Sequence, residues 1–114
     1  IFSFYSKGFY LLILLYFLLS EDRSLANYKL NDGSYILHYA FQHCCSEDII
    51  QTLLSYGAVI EAEDNEDRNI LHYAALNPSD ELWEIFIQKP EFSKYLERPD
   101  SAGLVPQEVR NTSK

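Results

Sequence analysis

Two histidines in this sequence stand in the same five-residue context, and histidine is the side chain most able to exchange a proton near neutral pH. Ile-Leu-His-Tyr-Ala occurs around His38 and again around His72, 34 residues further along. Either histidine could serve as a general base or as a metal ligand. The sequence has no glycine-rich phosphate loop, nucleophile elbow or Cys/His nucleophile pair to accompany them. We therefore predict that the protein is not an enzyme.

A second group of side chains has the residue types that bind zinc. His38, His43, Cys44 and Cys45 lie within one short stretch of the chain. A zinc site needs its ligands at the corners of a tetrahedron, and adjacent cysteines beside two histidines five residues apart do not converge on one ion. The acidic pairs between residues 61 and 66 lack the spacing of a calcium loop. The sequence predicts neither a metal nor a cofactor.

The histidine motif is part of a longer internal repeat. Residues 36–40 and 70–74 are identical, and residues 100–106 align with residues 64–70 at an offset of 36. In this alignment Gly103 corresponds to Asp67. A period between about 20 and 50 residues is typical of supersecondary units that stack on one another. The histidines therefore have to be interpreted within a repeated structural unit.

The sequence of each full unit predicts a short helix, a loop and a longer helix. The first short helix is predicted at residues 36–43, and the helix after it is capped by Ser46 and ends at Gly57. The second unit repeats this order with a short helix at residues 70–77, followed by a helix that Ser79 caps. Their apolar residues follow the i, i+3, i+4 spacing of amphipathic helices.

This order of turn, short helix, loop and longer helix resembles the ankyrin repeat family. The family motif has an Asp and a Gly in the turn, then Thr-Pro-Leu-His-x-Ala-Ala, and later Leu-Leu and Gly-Ala. The matching residues are Gly33, Leu37, His38, Ala40, Leu53, Leu54, Gly57 and Ala58 in the first full unit, Asp64, Leu71, His72, Ala74 and Ala75 in the second, and Asp100, Gly103 and Pro106 in the third.

The sequence departs from the family motif in the turns. Tyr35 and Asn69 replace the threonine, isoleucine replaces the proline in both full units, and Asp67 replaces a turn glycine. We expect looser turns where these replacements occur. The resemblance also implies that the two motif histidines make structural hydrogen bonds near the turns.

The resemblance implies an all-α fold, an ankyrin-repeat solenoid of stacked helix-turn-helix units with β-turn or hairpin fingers. We predict a partial repeat at residues 1–29, full repeats at 30–63 and 64–99, and a truncated repeat at 100–114. A single unit cannot bury both faces of its helices, so stacking must supply the core. The truncated last unit and the absence of methionine predict that the chain is a fragment of a longer protein.

Residues 9–19 form an unbroken apolar run that has three interpretations. A membrane span needs about 20 apolar residues, so the run would be only the end of a span. A signal peptide fits the length of the run, but Leu18 is bulky for a cleavage site. In the third interpretation the run is a buried helix of a preceding repeat, which the alignment of Leu18-Leu19-Ser20 with residues 53–55 favours.

The charge of the chain restricts its partners. The formal net charge is −8, and between Glu47 and Glu84 ten acidic residues accompany one basic residue, Arg68. Such a balance repels nucleic acids and anionic membranes, and it suits a basic protein partner. Cys44 and Cys45 are the only cysteines and make no disulfide framework, which predicts a cytoplasmic setting.

The resemblance implies a monomeric, non-catalytic protein–protein interaction module, a scaffold or adaptor that binds a partner on its fingers and concave surface. The alternative is a cytosolic ankyrin regulatory domain of a membrane-anchored protein, with residues 9–19 as the end of a span. Tyrosine is favoured at interfaces because it combines a large rigid area with a polar tip. The candidate partner-binding residues are Ser34, Tyr39, Gln42, His43, Asn65, Glu66, Arg68, Tyr73, Leu76 and Asn77.

Overall fold

The computed structural model describes residues 14–43 and 47–113, and the regular elements of this part of the chain are helices joined by turns, with no strand. An isolated antiparallel bridge joins Lys29 to Tyr35 in the first finger, residues 29–35. The prediction of an all-α repeat fold is confirmed. The helices are α1 (residues 14–21 within the described part), the 3-10 helix η1 (Arg23–Asn27), α2 (Ile36–His43), α3 (Glu47–Ser55), α4 (Ile70–Ala74), α5 (Asp80–Ile87), α6 (Pro90–Ser93), the 3-10 helix η2 (Lys94–Glu97) and α7 (Pro106–Ser113).

The short helices of successive units stack side by side. Helix α2 packs on α4, and α4 packs on α7, so three equivalent helices form one inner layer. Helix α3 packs against α2, and α5 packs against α4, which gives each full unit an inner and an outer helix. This arrangement buries the apolar face of each inner helix between its neighbours, as expected for units that cannot bury both faces alone.

An aromatic cluster joins the first full unit to the second. Phe41 of α2 lies 4.8 Å from Phe86 of α5 and 5.7 Å from Phe92 of α6, measured between ring centroids. Phe86 and Phe92 meet edge to face at 5.0 Å. All three rings are fully buried. Burying one such side chain contributes about 1.5–3 kcal/mol, so the cluster stabilises the stacking of the units.

The structure confirms the predicted N-cap of α5 but not the predicted end of α4. The Ser79 hydroxyl accepts the Leu82 N–H at 3.1 Å, which confirms the predicted cap of α5. The predicted short helix at residues 70–77 is wrong in length, because α4 ends at Ala74 and Asn77 donates its backbone N–H to Ala74 in a tighter turn. The predicted cap Ser46, together with Cys44 and Cys45, lies outside the described residues.

The turn of each finger has the same backbone conformation. Gly33, Asp67 and Gly103 have φ values of 85°, 61° and 83°, in the left-handed region. Each of the three donates its N–H to the carbonyl three residues earlier, at 3.0–3.1 Å. The expectation of a looser turn at Asp67 is therefore wrong. Aspartate reaches the left-handed region at lower cost than most residues with a side chain, which accounts for its place here.

Helix α1 faces the core along one side. Leu19 is buried, and Leu15 packs against the core, whereas Phe17 and Leu18 are exposed. In the described ranges, no helix is both long enough and apolar enough to cross a membrane. Residues 9–13 of the apolar run lie outside the described residues, and the repeat boundaries 1–29, 30–63, 64–99 and 100–114 stay a prediction.

Candidate partner-binding surface

The two motif histidines connect each inner helix to the finger of the following unit. His38 Nδ1 accepts the backbone N–H of Tyr35 at 2.9 Å, and its Nε2 lies 3.2 Å from the carbonyl oxygen of Ala62. His72 repeats both contacts in the next unit, at 3.0 and 2.8 Å. Because Nδ1 is an acceptor, Nε2 must carry the proton and donate it to the carbonyl. The structural role implied for these histidines is confirmed.

Burial separates the histidines from any substrate. Both imidazoles are buried, and burial lowers the pKa of His38, although the charge of Asp64 and the Ala62 carbonyl act in the opposite direction. An imidazole whose two nitrogens both bind backbone groups has no free nitrogen to act as a base or ligand. Among the described residues, no three His, Cys, Asp or Glu side chains are grouped so that they could hold a metal ion.

Asp64 is the centre of the hydrogen bonds in the second finger, residues 61–68. Its carboxylate accepts the backbone N–H groups of Glu66 and Arg68, the Arg68 Nε at 2.8 Å and the Tyr73 hydroxyl at 2.6 Å. Burial by itself would raise the pKa of Asp64, but these hydrogen bonds together lower it. Burial raises the pKa of Tyr73, and the hydrogen bond to Asp64 raises it further.

Three of the candidate partner-binding residues lie in the interior. Ser34, Tyr73 and Asn77 are 0%, 8% and 1% exposed, so the expectation that they form a surface is wrong. The Ser34 hydroxyl donates to Asp32, the Tyr73 hydroxyl donates to the finger carboxylate described above, and the Asn77 amide donates to the Phe41 carbonyl at 2.9 Å. Each of these buried polar groups therefore has a hydrogen-bond partner within the fold.

Tyr39 differs from Tyr73 although both occupy the same position of the repeat. Tyr39 is 43% exposed and stacks on His43, with ring centroids 5.8 Å apart. The residue that corresponds to Asp64 in the first finger is Leu30, which cannot accept a hydrogen bond from a tyrosine hydroxyl. The difference between Leu30 and Asp64 is thus the sequence signal that separates the exposed tyrosine from the buried one.

The other candidate residues remain at least partly accessible. His43, Asn65, Glu66 and Leu76 are exposed, and Gln42 and Arg68 are half-buried. Leu76 follows α4 at the position equivalent to Gln42 in the first unit and is 46% exposed. The accessible candidates therefore belong to α2, to the turn after α4 and to the second finger.

The repeat pattern of the chain matches a known protein family. A family model described as ankyrin repeats matches residues 6–96 in three copies, which is most of the chain. The protein belongs to the ankyrin repeat family. Ankyrin repeats are generally protein–protein interaction modules. No curated protein matches the chain at a significant level.

Two finger contacts place the ankyrin fingers next to one another. A side chain at Gly33 would overlap Asn65, so the turns of the first and second fingers approach closely. The backbone N–H of Ser101 donates to the Glu66 carbonyl at 2.9 Å, which joins the second finger to the third. Residues Asn65 and Glu66 are thus held in place by neighbouring units, while their side chains remain exposed.

A groove beside the first inner helix was not predicted as a whole. It has a volume of about 350 Å³, and it is lined by Leu15 of α1, Ile36, Tyr39, Ala40 and His43 of α2, and Ile49 and Leu53 of α3. Tyr39 and His43 are the only lining residues among the candidates from the sequence. The apolar residues of the groove fit the same helical spacing as core residues, so the sequence pattern does not distinguish them from the core.

Arg110 of α7 is a buried cation that the sequence pattern also did not indicate. Its guanidinium donates to the carbonyls of Ala75 and Asn77, forms an ion pair with Asp80 and lies 5.6 Å from the Trp83 ring centroid. Cations favour the carbonyl end of a helix, and here the carbonyls lie just beyond α4. Arg110 therefore fixes the third unit on the second rather than contributing to the exposed surface.

Proposed function

We propose that this ankyrin domain is a non-catalytic scaffold or adaptor segment that binds a basic protein partner across its second finger and inner helices. The observation that carries the proposal is that exposed Tyr39 on inner helix α2 and exposed Leu76, just after inner helix α4, occur in the same two units as a strongly acidic second finger. Exposed aromatic and aliphatic side chains supply the centre of an interface, and surrounding charges orient the partner.

The charge of the second finger supports a basic partner. Glu61, Glu63, Glu66 and Asp67 are exposed, and the single cation of the finger, Arg68, forms an ion pair with buried Asp64. Arg68 is therefore paired within the finger, while its side chain stays 40% exposed. The exposed carboxylates would speed the encounter with a basic surface, and this effect would weaken as salt increases.

The proposal also includes a monomeric state and a cytoplasmic setting. The overall charge of −8 favours repulsion between copies of the chain, and the two adjacent cysteines suit a reducing compartment. The same charge argues against nucleic acid as the partner, because nucleic-acid binding rests on contacts between basic side chains and phosphates.

The test uses single charge reversals of equal size on two faces. Glu63→Lys and Glu66→Lys change the second finger, and Glu84→Lys makes the same change on an exposed position of the outer helix α5. A partner is captured from native host extract, identified, purified and titrated against the wild type and all three variants at low and high salt. Arg68→Glu is avoided, because it would place a second acid against buried Asp64.

The finger variants should weaken binding at low salt by about tenfold each, and Glu84→Lys should leave the affinity within about twofold of wild type. The difference between finger variants and wild type should shrink at high salt. Equal affinities for Glu63→Lys, Glu66→Lys and wild type would remove the second finger from the binding surface, and failure to capture any protein partner would contradict the proposal as a whole.

A further inference from the structure

The inner helices of the two full units have buried apolar residues at two equivalent positions. Leu37 and Phe41 of the first unit are buried, and Phe41 packs on Phe86 of the following unit. The two residues are four positions apart and therefore lie on the same side of α2. Leu71 and Ala75, 34 positions further along the chain, are fully buried as well. This apolar side of each inner helix belongs to the packing that joins one unit to the next.

Helix α7 of the third unit has polar residues at these two positions. At the offset of 36 residues, Gln107 corresponds to Leu71 and Asn111 corresponds to Ala75. Both polar residues are exposed, and the Gln107 side-chain amide donates to the Asn111 side-chain oxygen at 3.1 Å. The side of α7 that corresponds to the stacking side of the other inner helices is therefore polar and in contact with water.

Glu108 occupies the position of the motif histidine. His38 and His72 each accept a backbone N–H from three residues earlier, and each donates from Nε2 to a carbonyl of the next finger. Glu108 keeps the first contact, because its Oε1 accepts the Val105 N–H at 3.2 Å. An ionised carboxylate accepts hydrogen bonds and cannot donate them, so Glu108 cannot make the second contact with a following finger.

The other side of α7 packs on the stack like a repeat helix. Pro106 and Arg110 are both buried, and the Arg110 guanidinium donates to the carbonyls of Ala75 and Asn77 in the second unit. Helix α7 thus has one side that docks on the preceding unit and one side that is suited to water. End units of a repeat array need such a polar outer face, because an apolar one would expose core surface.

We propose that the third unit is a capping unit, in which α7 ends the ankyrin stack and prevents another unit from packing on its outer face. Gln107 and Asn111 replace the apolar contacts, and Glu108 removes the donor that would bind a further finger. The inference goes beyond the proposed function, since α7 carries none of the candidate partner-binding residues. It concerns the chemistry of this face, whatever residues follow Lys114.

The test extends the complete chain by one unit in register. Position 113 corresponds to position 77 at the offset of 36, so a second copy of residues 78–113 is joined after Ser113 in place of Lys114. The added copy brings an outer helix, a finger and its own polar α7. It alone is isotope-labelled by segmental ligation, so that its amide hydrogen exchange can be measured apart from the identical residues of the original chain.

Three versions of the extended chain are compared. The first keeps the original α7. The second gives the original α7 the residue types that the second unit has at the equivalent positions, through Gln107→Leu, Glu108→His and Asn111→Ala. The third is the matched control, with Gln51→Leu and Ser55→Ala, an exposed pair of the same spacing on the outer helix α3.

The added unit should dock only on the substituted α7. In the second version its amides should exchange at least about tenfold more slowly than in the first and third versions, because a unit that is not packed opens readily. The urea m-value should also be larger in the second version, since unfolding then exposes the surface of one more unit. In the chain without the extension, the three α7 substitutions should leave the urea midpoint within about 0.3 M of wild type, because the positions are exposed.

Several results would overturn the inference. Equal protection of the added unit in the first and second versions would show that the original α7 does not end the stack. Protection in neither of them would show that residues 107, 108 and 111 do not decide whether a unit docks. A large loss of stability in the substituted chain without the extension would make these residues contacts of the existing fold. None of these measurements involves a partner, so the proposed function stands or fails separately.

Discussion

Removing the hydroxyl of Tyr73 tests how the second finger is held. Tyr73→Phe keeps the buried ring, which packs on His38 at 4.6 Å between centroids, and deletes only the 2.6 Å hydrogen bond to Asp64. A hydrogen bond to a charged group contributes about 1.5–3 kcal/mol. The Asp64 carboxylate keeps its contacts with Glu66 and Arg68, so we expect a loss near the lower end, about 1.5 kcal/mol.

The matched control is Tyr39→Phe, the same substitution at the equivalent position one unit earlier. Because Tyr39 is exposed, the free energy of unfolding of the Tyr39→Phe variant should stay within about 0.5 kcal/mol of wild type. Both variants are compared with wild type by urea unfolding, at neutral and at acidic pH. Comparable m-values would allow the midpoints to be read as stability differences.

The pH dependence has a defined sign. Hydrogen bonds hold the pKa of Asp64 below its ordinary value despite the opposing effect of burial, so its ionised form stabilises the fold above the ordinary aspartate pKa of about 3.9. This stability is lost as pH falls through the lower, folded pKa. The difference between Tyr73→Phe and wild type should therefore shrink in acid. Equal stabilities of Tyr73→Phe and Tyr39→Phe at neutral pH would refute the assignment of Tyr73 as a structural residue.

Three further substitutions test other parts of the fold. Burial lowers the pKa of His38, so the unfolded chain takes up a proton at a higher pH than the folded chain does. The free energy of unfolding should therefore fall as pH decreases below about 6.5. In urea unfolding, His38→Gln should show a weaker dependence of this free energy on pH than His43→Gln. Arg110→Ala should lower the free energy of unfolding by about 3 kcal/mol, because it removes a buried guanidinium and leaves the carbonyls of buried Ala75 and Asn77 without their donor. Gln107→Ala, on the exposed side of α7, should change it by less than about 0.5 kcal/mol, and thermal or urea unfolding measures both. The free energy of unfolding should be about 1 kcal/mol lower for Asp67→Ala than for Asp67→Gly, since only glycine adopts the positive φ of this turn without strain. Equal free energies of unfolding would argue against that backbone conformation.

The repeated elements of the fold follow from local sequence. The identical residues 36–40 and 70–74 predict two equivalent helices, and Ser79 and Gly57 mark helix ends through side-chain and backbone properties that act over a few residues. The left-handed turn at Asp67 also has a local cause, but the sequence alone suggested a looser turn. The turn is closed by the Asp67 N–H and by the Asp64 carboxylate, and that carboxylate also binds the Tyr73 hydroxyl nine positions later, a contact that a local turn pattern does not display.

The candidate surface was harder to predict, because burial depends on contacts between distant residues. Asn77 was expected at the surface but donates to the Phe41 carbonyl, 36 positions earlier in the chain. Tyr39 and Tyr73 have identical neighbours, yet the residue nine positions before each of them, Leu30 or Asp64, decides whether its hydroxyl has a buried acceptor. Such pairings can be read from the sequence only once the repeats have been aligned and their fingers compared.

The central claim is that a protein partner binds the inner helices and the second finger. Amide hydrogen exchange of the purified complex with the captured partner tests it most directly, with the free chain as reference. Binding at this surface predicts slower exchange in α2, in residues 61–68 and around Leu76, with α5 unchanged. Protection confined to the outer helices α3 and α5 would contradict the account.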